Sequence, residues 1–556
     1  MEMNYDERVL HELEEELNVQ ILPGTEIMRD VGTHHFVKSA AGSDRVLVPQ
    51  PSDDPNDPLN WTPFWKFAAM FTATAVTFTQ GFGPLSVPPM FPQLIQEFDS
   101  NLTDVVQFVG VCILVLGFSN FLWVPMATAF GRRGVLIIST LVCFASAIWR
   151  ARATSYNSFM GACVLNGIGS GPAETLQPTI IADVMFLHER GRYNTLYFVT
   201  YFGALMLGPV VAGPMAQYTG WRNFWWLNAA MLAFVTLLTV VAFPETKWHR
   251  THPSEMQAEK LSGSHPSSQE KVAIENTEVV DAEKEPIQTM PSLTHEPTAA
   301  RDPYLHKGKP NRKQFLLFQS APNPIKTFLF DFILPWKLLA FPIVEFASFV
   351  VSWSASSFLT LNLTQTQAFA APPYNFSSTA VGFTNFAIFV GAILGLFTAG
   401  PLSDYIAAVL TRRNKGIREP EMRLPTMIPY VLIMILGNFI VAFGYQHQWN
   451  WKVIVILGYT CAGIQVAALP AISSTYAIDS YKPVSGAVFV SITVNKNLWG
   501  YGFSKFITPW ILSDGYVPPI MLNMSLITLW SSFGILFWFI GKKCRYWTRN
   551  SNVHKL

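Results

Sequence analysis

The sequence predicts an all-α integral membrane protein, with twelve transmembrane helices in two pseudo-symmetric six-helix bundles. Three observations predict it. Charged residues make up 13% of the chain, against roughly 25% in soluble domains. Apolar runs of roughly twenty residues, the length that a hydrocarbon core about 30 Å thick demands of a helix, recur from end to end. A long polar stretch divides these runs into six and six.

The runs begin near Phe64, Val105, Gly134, Ser158, Tyr193 and Trp221, and resume near Trp336, Ser378, Pro425, Trp451, Val484 and Pro518. Residues 1–60 form an acidic tail without a cleavable apolar signal. Residues 61–244 and 336–541 are the two bundles, and 542–556 a short second tail. Between the bundles, 245–335 is rich in Ser, Pro, Glu, Lys and Thr without helical periodicity, which predicts a largely disordered linker.

Arg132 and Arg133, Arg190 and Arg192, and the cluster Arg412, Arg413, Lys415, Arg418 and Arg423 fall in alternate connections. The positive-inside rule then makes both termini and the linker cytoplasmic. A multi-pass protein of the plasma membrane is expected, with Arg150, Arg152, Arg222 and Lys452 as exceptions on the outside. Sequons at Asn101, Asn362 and Asn375 fall at outward loops or helix ends and would make the chain a glycoprotein.

Several function classes are excluded. A net charge of +1 offers no concentrated basic surface for nucleic acid. The five cysteines sit mostly inside apolar runs, without C-x-x-C or histidine partners, and read as small core residues rather than metal ligands. There is no Ser-His-Asp grouping, metal-ligand cluster or phosphate-binding glycine loop, so neither an enzyme nor a cofactor is expected.

The halves repeat one plan. Gly131-Arg-Arg133 precedes the third run, and Gly400-Pro-Leu-Ser-Asp404, followed by Arg412 and Arg413, holds the same place in the second half. The fourth run ends in Ile181-Ala-Asp183 and the tenth in Ala477-Ile-Asp479. An acid at a helix end facing an arginine cluster can clasp two helices in one conformation and release them in another. Asp183 with Arg132 and Arg133, and Asp479 with Arg412 and Arg413, are the expected clasps, solvated loop charges being the alternative.

At these motifs the chain resembles the major facilitator superfamily, and within it the fungal members of the twelve-helix drug:proton antiporter group. The Gly131-Arg-Arg133 loop and its second copy ending in Asp404 resemble the superfamily's loop motif. Gly208-Pro-Val-Val-Ala-Gly213 resembles the antiporter motif, with Gly220-Trp-Arg222 after it. Asp53-Asp-Pro-Asn-Asp-Pro-Leu-Asn-Trp61 and Gly171-Pro-Ala-Glu-Thr175 are of the fungal type, and the likeness runs from about Pro51 to Gly541. It implies the major facilitator fold, with bundles that rock about a central site, and a bend at Gly208, Pro209 and Gly213 that sets outward-facing geometry and blocks leak. Two departures stand out. Thr128 and Ala129 replace the loop motif's acid and following arginine, and Cys163 stands where the antiporter group carries an arginine linked to proton coupling.

Polar residues inside the apolar runs mark the pathway. In the fourth run Cys163, Asn166, Ser170, Glu174 and Gln177 share about an 80° stripe when wound at roughly 100° per residue. Glu345, Ser348, Ser352 and Ser356 form a second stripe in the seventh. A carboxylate at membrane depth is costly unless it meets water, a partner or a proton, which makes Glu174 and Glu345 candidate substrate or proton sites. In the eleventh run Lys496 stands between Asn495 and Asn497, and must pair or line a wet cavity. Glu174, Glu345 and an anionic substrate are all open as its partner. Gln80 and Gln465 are candidate substrate contacts, and Trp123, Trp353, Tyr476 and Trp499 candidate pocket walls. The leading expectation is a monomeric secondary transporter in a lipid bilayer that exports a small-molecule substrate by proton antiport. Proton-coupled uptake of an organic cation such as a polyamine, and a non-transporting solute sensor, are the alternatives.

Overall fold

The computed structural model describes residues 22, 24–27, 51–52, 54–248, 304–414, 416–481, 484–549 and 551. The first half comprises α1 (Pro63–Phe82), the short α2 (Phe91–Glu97), α3 (Leu102–Phe130), α4 (Arg132–Arg152), α5 (Tyr156–Ser170), α6 (Pro172–Val184), α7 (Leu187–Tyr218) and α8 (Trp221–Ala242). The second comprises α9 (Pro324–Leu338), α10 (Pro342–Phe369), α11 (Ser378–Arg413), α12 (Met427–Gln446), α13 (Thr460–Ser480), α14 (Ser485–Asp514) and α15 (Val517–Thr548), with a π-helical lead-in to α13 at Val453–Tyr459.

Among the described residues nine helices are long and apolar enough to cross a membrane. Three further rods complete the expected twelve. Four threonines and Gln80 dilute α1, and Asn495, Lys496, Asn497 and Lys505 dilute α14. The rod formed by α5 and α6 is interrupted at Gly171, because Pro172 has no N–H to continue the helical ladder.

The seventh crossing starts later than the sequence suggested. Trp336 belongs to α9, and the span begins at Pro342, a residue suited to the first turn of a helix because its missing N–H would be unsatisfied there anyway. α9 lies against α3 and α14: the Trp336 ring stacks on Phe121 at 4.5 Å, and Ser491 Oγ donates to the Pro335 carbonyl at 2.9 Å. The stretch read as a disordered linker is therefore ordered over 304–335, where its backbone also donates to the carbonyls of Ala129 and Phe130. Residues 249–303 lie outside the described residues. At the other end α15 continues to Thr548, past the expected boundary at 541.

The polar leader is also built in. Asp57 accepts from the Ser52 and Leu59 amides at 2.9 and 3.0 Å, which folds the Asp-Pro-Leu-Asn-Trp run into a knot that buries Asn60 and Trp61 at the start of α1. Strand β1 (Glu26–Ile27) pairs antiparallel with β2 (Ile417–Arg418), so the N-terminal segment is strapped to the second half.

Two seams join the halves. Along α3 and α14, Gly110 faces Ser504 and Gly117 faces Asn497. Along α7 and α11, a methyl on Gly382 would lie 2.6 Å from the Pro209 carbonyl and 3.3 Å from the Gly213 Cα, so these backbones touch. Cross-half hydrogen bonds gather at the end away from the arginine loops: Gln93 to Ser378 at 3.0 Å, Thr366 to the Pro88 carbonyl at 2.8 Å, and the Thr379 amide to Gln217 at 3.2 Å. Of the sequons, Asn101 and Asn375 are exposed, whereas Asn362 is wholly buried in α10 beside Asn385 and cannot carry a glycan in this state.

Candidate functional site

Between the halves lies a cavity walled by α3, α6 and α7 on one side and α10, α13 and α14 on the other. Its surface is mostly apolar, with Phe198, Phe202, Phe358 and Phe489 prominent. Charge enters at one place. Glu174, in the first turn of α6, is 3% exposed and meets Lys496 of α14, whose Nζ is 2.5 Å from Oε1. Asn497 Nδ2 donates to Oε2 at 2.9 Å, and the Tyr201 hydroxyl donates to Oε1. Tyr197 donates to the Glu174 backbone carbonyl at 2.6 Å, which fixes α6 against α7. The carboxylate thus ties the first half to the second, and its site near a helix N-terminus suits negative charge.

Of the expected pathway residues, Glu174, Lys496 and Asn497 line this cavity. Glu174, not Glu345, is the partner of Lys496. Glu345 sits half-buried in the first turn of α10, outside the cavity wall. The other stripe residues pack within their own half. Gln80 donates to Ser139 and Thr140, Ser170 to the Gln80 carbonyl, Gln177 to Thr74, and Ser352 to the Ser348 carbonyl. Asn166 accepts from Cys112, Gln465 pairs with Ser354, and Asn495 is half-buried beside the cavity without lining it. Trp123, Trp353, Tyr476 and Trp499 do not line it either. Tyr197 and Tyr201, which do, were legible only as two tyrosines four apart on one face of a long apolar run.

Arg150 is the largest surprise. It stands in the last turn of α4, at the end away from Arg132 and Arg133, and is fully buried there, with its guanidinium 4.5 Å from the Trp225 ring and 3.7 Å from Cys112 Sγ. It also reaches Cys163, so a guanidinium from the neighbouring helix stands beside that thiol of α5.

At the arginine-bearing end Asp183 meets Arg132 at 3.1 Å, as expected, but Arg133 turns to the carbonyls of Thr239, Val240 and Phe243. In the second half Asp479 is held by Arg423 at 2.9 Å, and the same guanidinium reaches Asp404 at 2.8 Å. Arg412 and Arg413, the expected partners, are exposed in the last turn of α11, which carries them past Asp479. Glu245 accepts from the Arg132 and Arg133 amides, both at 3.0 Å, and caps α4. Burial and then the nearby Arg132 charge push the Lys247 ammonium below its ordinary value, with Glu245 and Asp183 opposing.

In comparison with known proteins, the family model described as Major Facilitator Superfamily matches residues 67–500. An uncharacterized MFS-type transporter of Schizosaccharomyces pombe is 26% identical over 95% of this chain and 94% of its own. The efflux pump radE of Floropilus chiversii is 23% identical, covering 82% of this chain and 76% of its own. Among solved structures, the proton:xylose symporter XylE with a bound bromo-deoxyglucose superposes with a TM-score of 0.57 at 14% identity, covering 85% of this chain and 96% of that one.

Proposed function

This chain belongs to the Major Facilitator Superfamily and is a secondary transporter rather than an enzyme; on that premise we propose that it exports a small organic compound in exchange for protons. The observation that carries the reading is Glu174, a carboxylate in the wall of the cavity between the halves and bonded across it to Lys496 and Asn497. An acid so placed can exchange a proton for cargo, and its release from α14 frees one half to rock on the other. The apolar walls suit the body of an organic compound. The Gly208-Pro209 motif and the efflux pump among the relatives support export.

The arginine-bearing loops and both termini are placed on the cytoplasmic side of the plasma membrane, following the charge bias of the connections. With the cross-half hydrogen bonds gathered at the opposite end, the conformation described is then closed to the outside. The clasps Arg132–Asp183 and Arg423–Asp479–Asp404 hold helix ends within each half and are the gating elements. Asn101 and Asn375 are the sequons open to glycosylation.

Proton flux in vesicles, driven by a panel of candidate substrates, tests the reading. Glu174→Gln is expected to abolish substrate-driven flux while Glu345→Gln retains it. Undiminished flux in Glu174→Gln would remove Glu174 as the carrier.

A further inference from the structure

The Glu174 carboxylate is a complete receptor for an ammonium group, and it is filled by the protein itself. Tyr201 and Asn497 supply neutral donors from deeply buried side chains, 8% and 4% exposed. Lys496 supplies the charge, with its Nζ 2.5 Å from the carboxylate and 5.9 Å from the centre of the Tyr201 ring. A carboxylate beside an aromatic face is the chemistry by which proteins recognise amines. The two neutral donors are fixed by burial, whereas Lys496 is the most exposed member of the set, its side chain 18% exposed against 4% for Glu174. It also hangs on a flexible four-carbon stem whose charge shifts partners readily.

We propose that Lys496 is a tethered occupant of the transport site, and that the cargo is a primary organic ammonium with an apolar body that displaces Lys496 from Glu174. This rests on the reading of Glu174 as the transport carboxylate. The cargo's N–H groups take the Lys496 position on Oε1, and Phe198, Phe202, Phe358 and Phe489 receive the body. Lys496 withdraws along its stem into the cavity, where water solvates it. Tyr201, on the same half as Glu174, keeps the carboxylate oriented throughout, and Asn497 parts from it when α14 moves away. An anionic cargo fits this arrangement less well, because it would have to draw Lys496 away from a carboxylate that burial and the Tyr201 and Asn497 donors hold in place. A neutral cargo leaves the Glu174–Lys496 tie between the halves intact. Only a cation exchanges one tie for another, which couples loading of the site to separation of α14 from α6.

The test measures binding of radiolabelled phenethylammonium to the purified full-length protein by scintillation proximity, with phenylethanol as the neutral isostere. An internal occupant that fills the site about nine-tenths of the time weakens apparent affinity about tenfold, so Lys496→Met is expected to tighten phenethylammonium binding by about that factor. Lys496→Arg, which keeps a tethered cation, is expected to bind like the wild type, and Glu174→Gln to lose binding. Phenylethanol binding is expected to be indifferent to residue 496. Elution profiles by size exclusion confirm that each variant is folded. If Lys496→Met binds no more tightly than wild type while Glu174→Gln still loses binding, the tethered occupant is overturned and the Glu174 site stands. If Glu174→Gln binds normally, the underlying reading of the site falls as well. If no folded variant binds phenethylammonium, the cargo class is wrong.

Discussion

In the first half Arg132 meets Asp183 at 3.1 Å across the helix ends, whereas in the second Arg423 reaches two acids, Asp479 at 2.9 Å and Asp404 at 2.8 Å. The difference traces to one position of the repeat, where Thr128 stands in the first loop and an aspartate in the second. The first half recruits neighbours to compensate. Glu245 caps α4 with both carboxylate oxygens, and Asp331 of α9 comes to the Thr128 hydroxyl within the field of Arg132 and Lys247. The second half is reinforced further by Arg545, wholly buried against Glu419 at 2.5 Å and Glu421 at 2.8 Å, with Thr25 of the N-terminal strap completing the cluster. The charge absent from one copy of the repeat is thus supplied from outside it.

Breaking the buried cluster should have the largest effect. Arg545→Ala leaves the buried Glu421 without its cation and Glu419 with Lys542 alone, a loss of about 3 kcal/mol by analogy with other broken buried pairs, read as a lowered melting temperature of the detergent-solubilised protein. An unshifted melting temperature would show that the cluster does not stiffen the second half. Next, Arg423→Ala should slow transport about tenfold or more at constant surface expression, and Arg132→Ala by a smaller factor, because Arg423 reaches both Asp479 and Asp404 whereas Arg132 meets Asp183. Equal slowing would erase the asymmetry, and unchanged rates in Asp183→Asn and Asp479→Asn would remove the clasps altogether. Glu245→Gln should cost about 1 kcal/mol, the usual scale of a charged helix cap, again read by thermal melting.

The smallest effect concerns pH. Burial raises the Asp331 carboxyl above its ordinary value, and the Thr128 hydroxyl, Arg132 and Lys247 only partly offset this. The docked helix therefore holds its proton more tightly than the undocked one. Docking of α9 should be strongest below the ordinary carboxylate range and weaken as pH rises through the raised value. Hydrogen exchange over 324–338 should follow that trend by roughly two- to threefold, and Asp331→Asn should flatten it.

How much of this could be read in advance depends on the range of the interaction. Twelve rods in two halves follow from run lengths, and the Glu174 and Lys496 candidates follow from the cost of charge in hydrocarbon. Partner choice did not follow. Asp479 pairs with Arg423 rather than Arg412 because α11 runs to Arg413 before the chain returns through Pro420–Thr426, a path that no spacing reveals. Arg150 looked like a loop charge because its cage of Trp225 and Phe159 is assembled from two other helices. Gln80, Ser170 and Gln177 obeyed the polar stripe and still bond within their own half, since a stripe can face a neighbouring helix as well as a cavity. The helix at 324–338 was hidden by the polar sequence before it and by Pro335 near its end.

At Gly213 and Gly382 the seam between α7 and α11 is main chain against main chain. It works as a bearing in which one backbone meets another, flanked by side-chain contacts such as Phe389 near Gly203 and Gln217 on the Thr379 amide. A methyl group added at Gly382 would act as a wedge in the bearing and hold the molecule in one posture.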